Sequence, residues 1–326
     1  MRTKHGQGFS RADIRPRKRL KSKGLRQFRD GGHTLEISII TDEIEPDAFG
    51  AIQSAVTWGV LRFELRKTGG KRIPDVPAET IRRLGELLAR VGGAITAVSP
   101  GPYKKAGTLL GNDKLTGTGW WDDGDLFERY RAGALGVLSR AFDIARRLSA
   151  RNVIIFTPER PDAASSRECP GRIIELLQQA ADMAAQKHLG LLLENDVGLW
   201  ADTGENSRRV IDRVHRKNFF ANWDPANAYL AGDIPYPDGY SHLRGLIGNV
   251  HIKDAKKTTS PFVEDYEVIG EGEIDWKGQV HALRSDGYGG FLCIETHSEP
   301  HKENSHKNVT ALRRILAEAE GKGSIE

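Results

Sequence analysis

The strongest constraint on this chain is a rhythm. From Leu35 onward, short apolar runs rich in β-branched residues alternate with longer stretches whose apolar residues recur at helical spacing. The strand-like runs are residues 35–40, 61–65, 94–99, 153–156, 191–193, 219–223, 250–252 and 291–294. Helical stretches include 47–57, 77–91, 125–149, 172–187, 203–215, 276–285 and 304–320, and Asp47, Thr203 and Asp275 stand where N-caps belong. Strands that are apolar throughout must be buried on both faces, which a parallel sheet covered by helices provides. Eight such β-plus-helix units in about 290 residues point to an α/β fold of the (β/α)8 type, a TIM barrel. A doubly wound sheet would show a Gly-rich turn after its first strand. Here that strand runs into Thr41-Asp42-Glu43-Ile44, which has no glycine.

Residues 31–326 are therefore expected to form one barrel domain, preceded by a basic extension over 1–30. That extension holds eleven Lys or Arg against Asp13 and Asp30, so it carries +9 and leaves −5 on the rest of a chain whose formal charge is +4. Strong self-repulsion and few apolar residues argue against the extension folding alone. The basic balance therefore says nothing about the barrel, and a nucleic-acid partner is expected only through the tail. No run approaches the 18 apolar residues of a membrane span, and the charged N-terminus has no apolar signal region. Two cysteines, Cys169 and Cys293, are too few for a disulfide framework or a Cys-rich zinc site. They suit reduced thiols in a cytoplasmic protein.

A barrel of this type gathers its active site at the C-terminal ends of its strands. Reading the tips and their near neighbours gives Asp42 and Glu43, Glu64 with Arg66, Pro100, Thr157, Glu194, Asp224, His251 and Glu295. The last four come from consecutive strands and present three carboxylates and one imidazole to one point. Such an oxygen-rich set favours Mn²⁺, Mg²⁺ or Co²⁺, with positions left for substrate oxygens. Without a cation, the three carboxylates would repel one another.

These residues also carry a resemblance. Glu194, Asp224 in Trp-Asp-Pro-Ala-Asn, His251 in His-Ile-Lys-Asp, Gly-Glu-Gly-Glu-Ile-Asp-Trp at 270–276 and Glu295 in Ile-Glu-Thr-His resemble the xylose-isomerase-like barrel superfamily. The nearest branch is its sugar phosphate isomerase/epimerase group, and Ile40-Thr41-Asp42-Glu43-Ile44 and Phe63-Glu64-Leu65-Arg66 are similar to it too. The resemblance spans roughly residues 35–318. It implies a divalent cation, commonly Mn²⁺, on Glu194, Asp224, His251 and Glu295, with the two glutamates doubling as an acid/base pair. The implied activity is isomerisation or epimerisation of a sugar or keto-polyol through an enediolate. The alternatives are a dehydratase or lyase on a keto-sugar, such as an inosose or oxidised glycoside, and a non-catalytic sugar-binding barrel. Two departures count. Ketose epimerases carry a His three residues after the aspartate, where this chain has Asn227. Apurinic endonucleases of the superfamily need extra histidines, and most here fall on the tail, helices or loops.

Around the four ligands, Arg66, Glu64, Lys253, His297, Asn227 and Trp223 are candidate substrate contacts. Arg66 suits a hydroxyl, carboxylate or phosphate; Lys253 suits an oxyanion; His297, two past Glu295, shares that residue's strand face. The Gly270–Trp276 turn holds two acids among its glycines and no Gly-Lys-Ser/Thr, so it is read as an ordered return into the next helix rather than a phosphate loop. Three insertions, 101–124, 232–248 and 255–269, fall on the catalytic face, and paired Trp120 and Trp121 in the first are a candidate lid. The expected partner is a small carbohydrate, with no membrane contact, and relatives of this kind are often homo-oligomers.

Overall fold

The structure is a computed structural model, and it describes residues 35–101, 104, 109–110, 119–161, 168–257 and 265–321. The N-terminal extension and most of the 101–124 insertion lie outside the described residues. The first strands are β1 (Glu36–Ile40), β2 (Arg62–Leu65), β3 (Lys67–Thr68), β4 (Lys71–Arg72) and β5 (Ala94–Val98). Then come β6 (Asn152–Ile155), β7 (Gly190–Glu194), β8 (Phe219–Trp223) and β9 (Ile247–Ile252). The last are β10 (Asp254–Lys256), β11 (Asp265–Glu267) and β12 (Phe291–Ile294). Eight of them close into a barrel in the order β1-β12-β9-β8-β7-β6-β5-β2, and every neighbouring pair is parallel. The expected (β/α)8 barrel is the fold observed. β9 begins three residues earlier than its apolar pattern announces, because Gly248 and Asn249 extend the strand without adding hydrophobicity.

Helices α1 (Ala48–Thr57), α2 (Ala78–Val91), α3 (Gly124–Arg147), α4 (Gly171–Gln186) and α5 (Gly204–Val214) follow strands of the first half and middle. Short α6 (Pro225–Leu230) and α7 (Tyr240–Leu243) precede α8 (Trp276–Ser285) and α9 (His301–Ala319). The expected caps form: Asp47 accepts from Gly50 N, Thr203 from Asn206 N and Asp275 from Gly278 N. Each such cap stabilises its helix by about 1 kcal/mol. α6 was not legible from apolar spacing, since six residues make fewer than two turns. Its start is fixed by Asp224 as N-cap, whose Oδ1 accepts from Asn227 N at 2.9 Å, and by Pro225 in the first turn. α9 starts three residues before the stretch read as helical from sequence (304–320), in the polar turn His301-Lys302-Glu303.

Two antiparallel hairpins, β3 with β4 and β10 with β11, stand outside the barrel. The second leads into the Gly270–Trp276 turn, where Asp254 is the organiser. Its carboxylate accepts from Ala255 N (3.0 Å), Gly270 N (2.8 Å) and Ile274 N (3.1 Å). Gly272 passes so close that a Cβ there would lie 2.1 Å from Asp254 Oδ1, which requires glycine. The turn thus binds its own carboxylate rather than an external anion. Trp120 and Trp121 pack inward: Trp120 meets Tyr130 edge-on at 4.6 Å and Trp121 meets Trp200 at 5.6 Å. Both are buried in the core, so they brace α3 and the loop after β7 instead of forming an exposed lid.

Candidate metal centre

Alternation along the strands aims the site. Side chains two apart share a face, so Asn222 and Asp224, Asn249, His251 and Lys253, and Cys293, Glu295 and His297 form inward-facing series. Glu194, Asp224, His251 and Glu295 are all buried, and each offers a ligand atom within 4.8 Å of the others. The four strand tips named from sequence therefore converge.

Each candidate ligand is held from behind. Glu194 accepts from Asn222 Nδ2 through Oε2 (3.1 Å) and turns Oε1 towards His251 Nδ1 (3.4 Å). Asp224 is clamped by Asn195, whose Nδ2 donates to Asp224 O and whose Oδ1 accepts from Asp224 N, both at 2.8 Å. With Oδ1 used as helix cap, Asp224 has only Oδ2 to offer the site. His251 Nε2 lies 3.0 Å from Glu64 Oε2, which leaves Nδ1 facing Glu194 and Glu295. Glu295 is gripped by two cations, Arg66 Nη1 donating to Oε1 (2.8 Å) and Lys253 Nζ to Oε2 (3.0 Å), and the His297 imidazole lies beside it with Nε2 3.2 Å from Oε1. Arg66 is in turn fixed by Asp42 (2.9 Å) and by a short contact with Glu43.

Two buried atoms test whether a cation fits. His251 Nδ1 and Asp224 Oδ2 make no aligned hydrogen bond, although Lys253 Nζ comes within 3.0 Å of Asp224 Oδ2. The distance alone would suggest a full ion pair, but alignment decides hydrogen bonding, and the orphaned lone pair is the better guide. Both atoms point into the space bounded by Glu194 and Glu295, and together the four donors suit a divalent ion. The electrostatics agree. Burial pushes Asp224 up to about 6, with Glu295 and Glu194 adding to it against Lys253 and His251. Burial would lower His251, yet Glu194 and Glu64 hold it well above the usual imidazole range. Burial would raise Glu295, yet Lys253, His297 and His251 hold it well below the usual carboxylate range. The protein is answering excess negative charge with protons and its own cations, a role a bound metal would take over.

The remaining sequence candidates are placed differently. Glu64 lies beside His251 and Asn249 inside the barrel, almost wholly buried, so it braces a ligand instead of touching substrate. Trp223 is fully buried with Nε1 donating to Gln279 of α8, because odd positions of β8 face the helices. Asn227 donates to Asn195 O (2.9 Å) and supports the Asp224 clamp from behind. Lys253 is inside the site against two ligands. Arg66 and His297 form its rim, with side chains 16% and 30% exposed. His297 takes a left-handed backbone (φ 52), with its N donating to Glu43 Oε2 (2.7 Å). Sequence reasoning missed Asn222, Asn249 and Asn195; the first two stand two residues before a ligand, which strand alternation alone could have flagged. A cavity of about 690 Å³ lies elsewhere, between α1 and α2, and its lining includes none of these ligands.

The family model described as xylose isomerase-like TIM barrel matches residues 52–318. The chain belongs to this family. It is 23% identical over 162 residues to an inosose dehydratase of Geobacillus thermodenitrificans, covering 46% of this chain and 54% of that protein. The chain thus spans about half the length of that curated relative. Among solved structures, the IOLI protein with a bound zinc atom superposes with a TM-score of 0.69 at 13% identity, covering 90% of this chain and 100% of that one. An L-ribulose 3-epimerase superposes with a TM-score of 0.66 at 18% identity, covering 89% and 97%. At such identities these two carry the fold alone. The family resemblance read from the strand-tip motifs is thereby established. Among the described residues no helix is long and apolar enough to cross a membrane.

Proposed function

We propose that this family member is a divalent-metal-dependent isomerase or epimerase of a sugar or keto-polyol, working through an enediolate of the substrate. The observation that carries the reading is the facing pair Glu194 and Glu295, with His251 Nδ1 and Asp224 Oδ2 aimed between them. A cation held by these four would polarise a substrate carbonyl and its neighbouring hydroxyl, acidifying the adjacent C–H. Mn²⁺ is the preferred ion for the oxygen-rich set, and the zinc in the IOLI structure supports divalent binding at such a barrel. Glu194 takes the C–H proton, and Glu295 delivers one to the opposite face or the adjacent carbon. Lys253, buried at the site, stabilises the oxyanion that forms between these events. Arg66 and His297, at the rim, meet substrate hydroxyls.

A second reading keeps the same first step and ends with loss of a β-hydroxyl as water. The likeness to an inosose dehydratase favours it. Incubating keto-sugars and inososes in D₂O with the Mn²⁺-loaded protein separates the two. Deuterium gained without loss of mass supports isomerisation or epimerisation; loss of one water supports dehydration. Absence of both across the panel would sink the enzymatic proposal in favour of a sugar-binding barrel.

A further inference from the structure

Beneath the four ligands, a closed circuit of buried polar side chains crosses the barrel interior. Glu64 Oε1 accepts from Asn249 Nδ2 at 2.7 Å, and the same amide nitrogen donates to Asn222 Oδ1 at 2.8 Å. Asn222 Nδ2 then donates to Glu194 Oε2 at 3.1 Å. On the other side, Glu64 Oε2 lies 3.0 Å from His251 Nε2, and His251 Nδ1 returns to Glu194 Oε1 at 3.4 Å. Asn222 is fully buried and the other four are nearly so.

We propose that Glu64, Asn249 and Asn222 form a positioning ring that dictates which atoms of Glu194 and His251 face the cation. This inference rests on the metal site of the proposed function and adds residues that touch neither metal nor substrate. The order of donors has one solution. A carboxylate only accepts, so both donors facing Glu64 must be N–H groups: Asn249 Nδ2 and His251 Nε2. Asn249 spends its amide nitrogen on Glu64 and on Asn222 Oδ1, so Asn222 must turn its own NH₂ towards Glu194. That donation occupies Glu194 Oε2 and leaves Oε1 at the site. With its Nε2 proton committed to Glu64, His251 keeps Nδ1 as the ligand atom. A reversal at any joint propagates around the circuit. Cys293 adjoins Glu64, but its thiol is held well above the ordinary range, by burial first and by Glu64 next. His251 Nε2 is already engaged by Glu64 Oε2 at 3.0 Å, so the Glu64, His251 and Cys293 group acts here as support for His251 rather than as a second centre.

Three near-isosteric variants break the ring at separate joints: Asn222→Asp, Asn249→Asp and Glu64→Gln. Each metal-free protein is titrated with Co²⁺ by calorimetry and visible absorption, and its Tm is measured alongside. The expected result is a ten- to hundredfold weaker Co²⁺ affinity in every variant, with an altered absorption band, while Cys293→Ala keeps the parent affinity. Parent-like affinity and band in all three overturn the ring, even if their metal-free Tm values fall, because a merely structural role would produce that pattern. Nitrogen-15 NMR of the zinc-loaded parent gives an answer independent of any variant. It should show His251 metallated at Nδ1 and protonated at Nε2, and the reverse assignment overturns the inference. A parent that takes up no Co²⁺ overturns both the metal site and the ring; a parent that binds while the variants bind equally overturns the ring alone.

Discussion

Glu194 and Glu295 end neighbouring parts of one site and are equally buried, yet they live in different surroundings. Glu194, on the β7–β8 side, is held by the neutral amide of Asn222 and the imidazole of His251. Glu295, after β12, is held by a guanidinium, an ammonium and two imidazoles. Burial raises both, and both are nonetheless held below the usual carboxylate range, Glu194 by His251 and Glu295 further still by Lys253 and the histidines. Equal burial with unequal partners separates two roles. The less stabilised anion is the stronger base, so Glu194 suits proton abstraction. Glu295 is the better anchor, and in the proposed reaction it delivers a proton by passing on one taken from the Lys253 ammonium that donates to it.

The comparison breaks most easily at the glutamates themselves. Glu194→Gln should slow deuterium exchange into substrate by about 10²–10⁴-fold, the usual worth of a general base. Glu295→Gln should also slow exchange, but with a larger loss of Mn²⁺ affinity, since it strands Arg66, Lys253 and His297 without their shared anion. Calorimetry and exchange rates on the two variants check this. If Glu295→Gln abolishes exchange while Glu194→Gln keeps more than a tenth of it, the two roles are reversed.

A second test attacks the cationic grip. Arg66 is the hub for Asp42, Glu43 and Glu295, and those three anions hold its own pKa above normal against the opposing effect of burial. Arg66→Met leaves three buried carboxylates with less compensation and should cost about 3–5 kcal/mol, the usual penalty for breaking a buried ion pair. Urea unfolding of the metal-free protein measures it, and partial recovery on adding Glu43→Gln would confirm electrostatics as the cause. A cost below about 1 kcal/mol would mean that the rim is solvated like an ordinary surface salt bridge.

How much of this was written in the sequence depends on which contrast carried it. Apolar runs against helical spacing are strong contrasts, so the barrel and its eight strands were legible. Charged residues at strand ends are equally visible, and they gave Glu194, Asp224, His251 and Glu295. Amides are quiet: Asn195, Asn222 and Asn249 look like loop or surface residues until the barrel closes and brings Asn249 onto Glu64, 185 positions away in sequence. For the same reason Glu64 was legible as a strand-tip acid but not as the partner of His251. Trp223 was misplaced by proximity to Asp224, where the alternation that turns the aspartate inward turns the tryptophan outward. Helices of one or two turns, such as α6, leave too few residues for a period to show.

The smallest effect is also the most diagnostic of the β7–β8 side, and it concerns pH. Burial, reinforced by Glu295 and Glu194, puts the folded Asp224 at about 6 against its ordinary 3.8. A raised carboxyl means that the folded state holds a proton which the unfolded chain releases between those values. In the metal-free protein this group contributes stability at low pH that is lost as pH rises through about 6. Metal binding runs the other way, because Asp224 must be ionised to serve as a ligand. Mn²⁺ affinity should therefore fall by up to about tenfold per pH unit below 6 from this group. His251, held high by Glu194 and Glu64 against burial, extends the rise in affinity above neutrality. Glu295 adds nothing in this window, being held well below it. The Tm difference between Mn²⁺-loaded and metal-stripped protein should thus widen from pH 5 to pH 7. A difference that stays constant or narrows would show that the β7–β8 side is not desolvated as its geometry requires, and that its ligands titrate no differently from those beside β12.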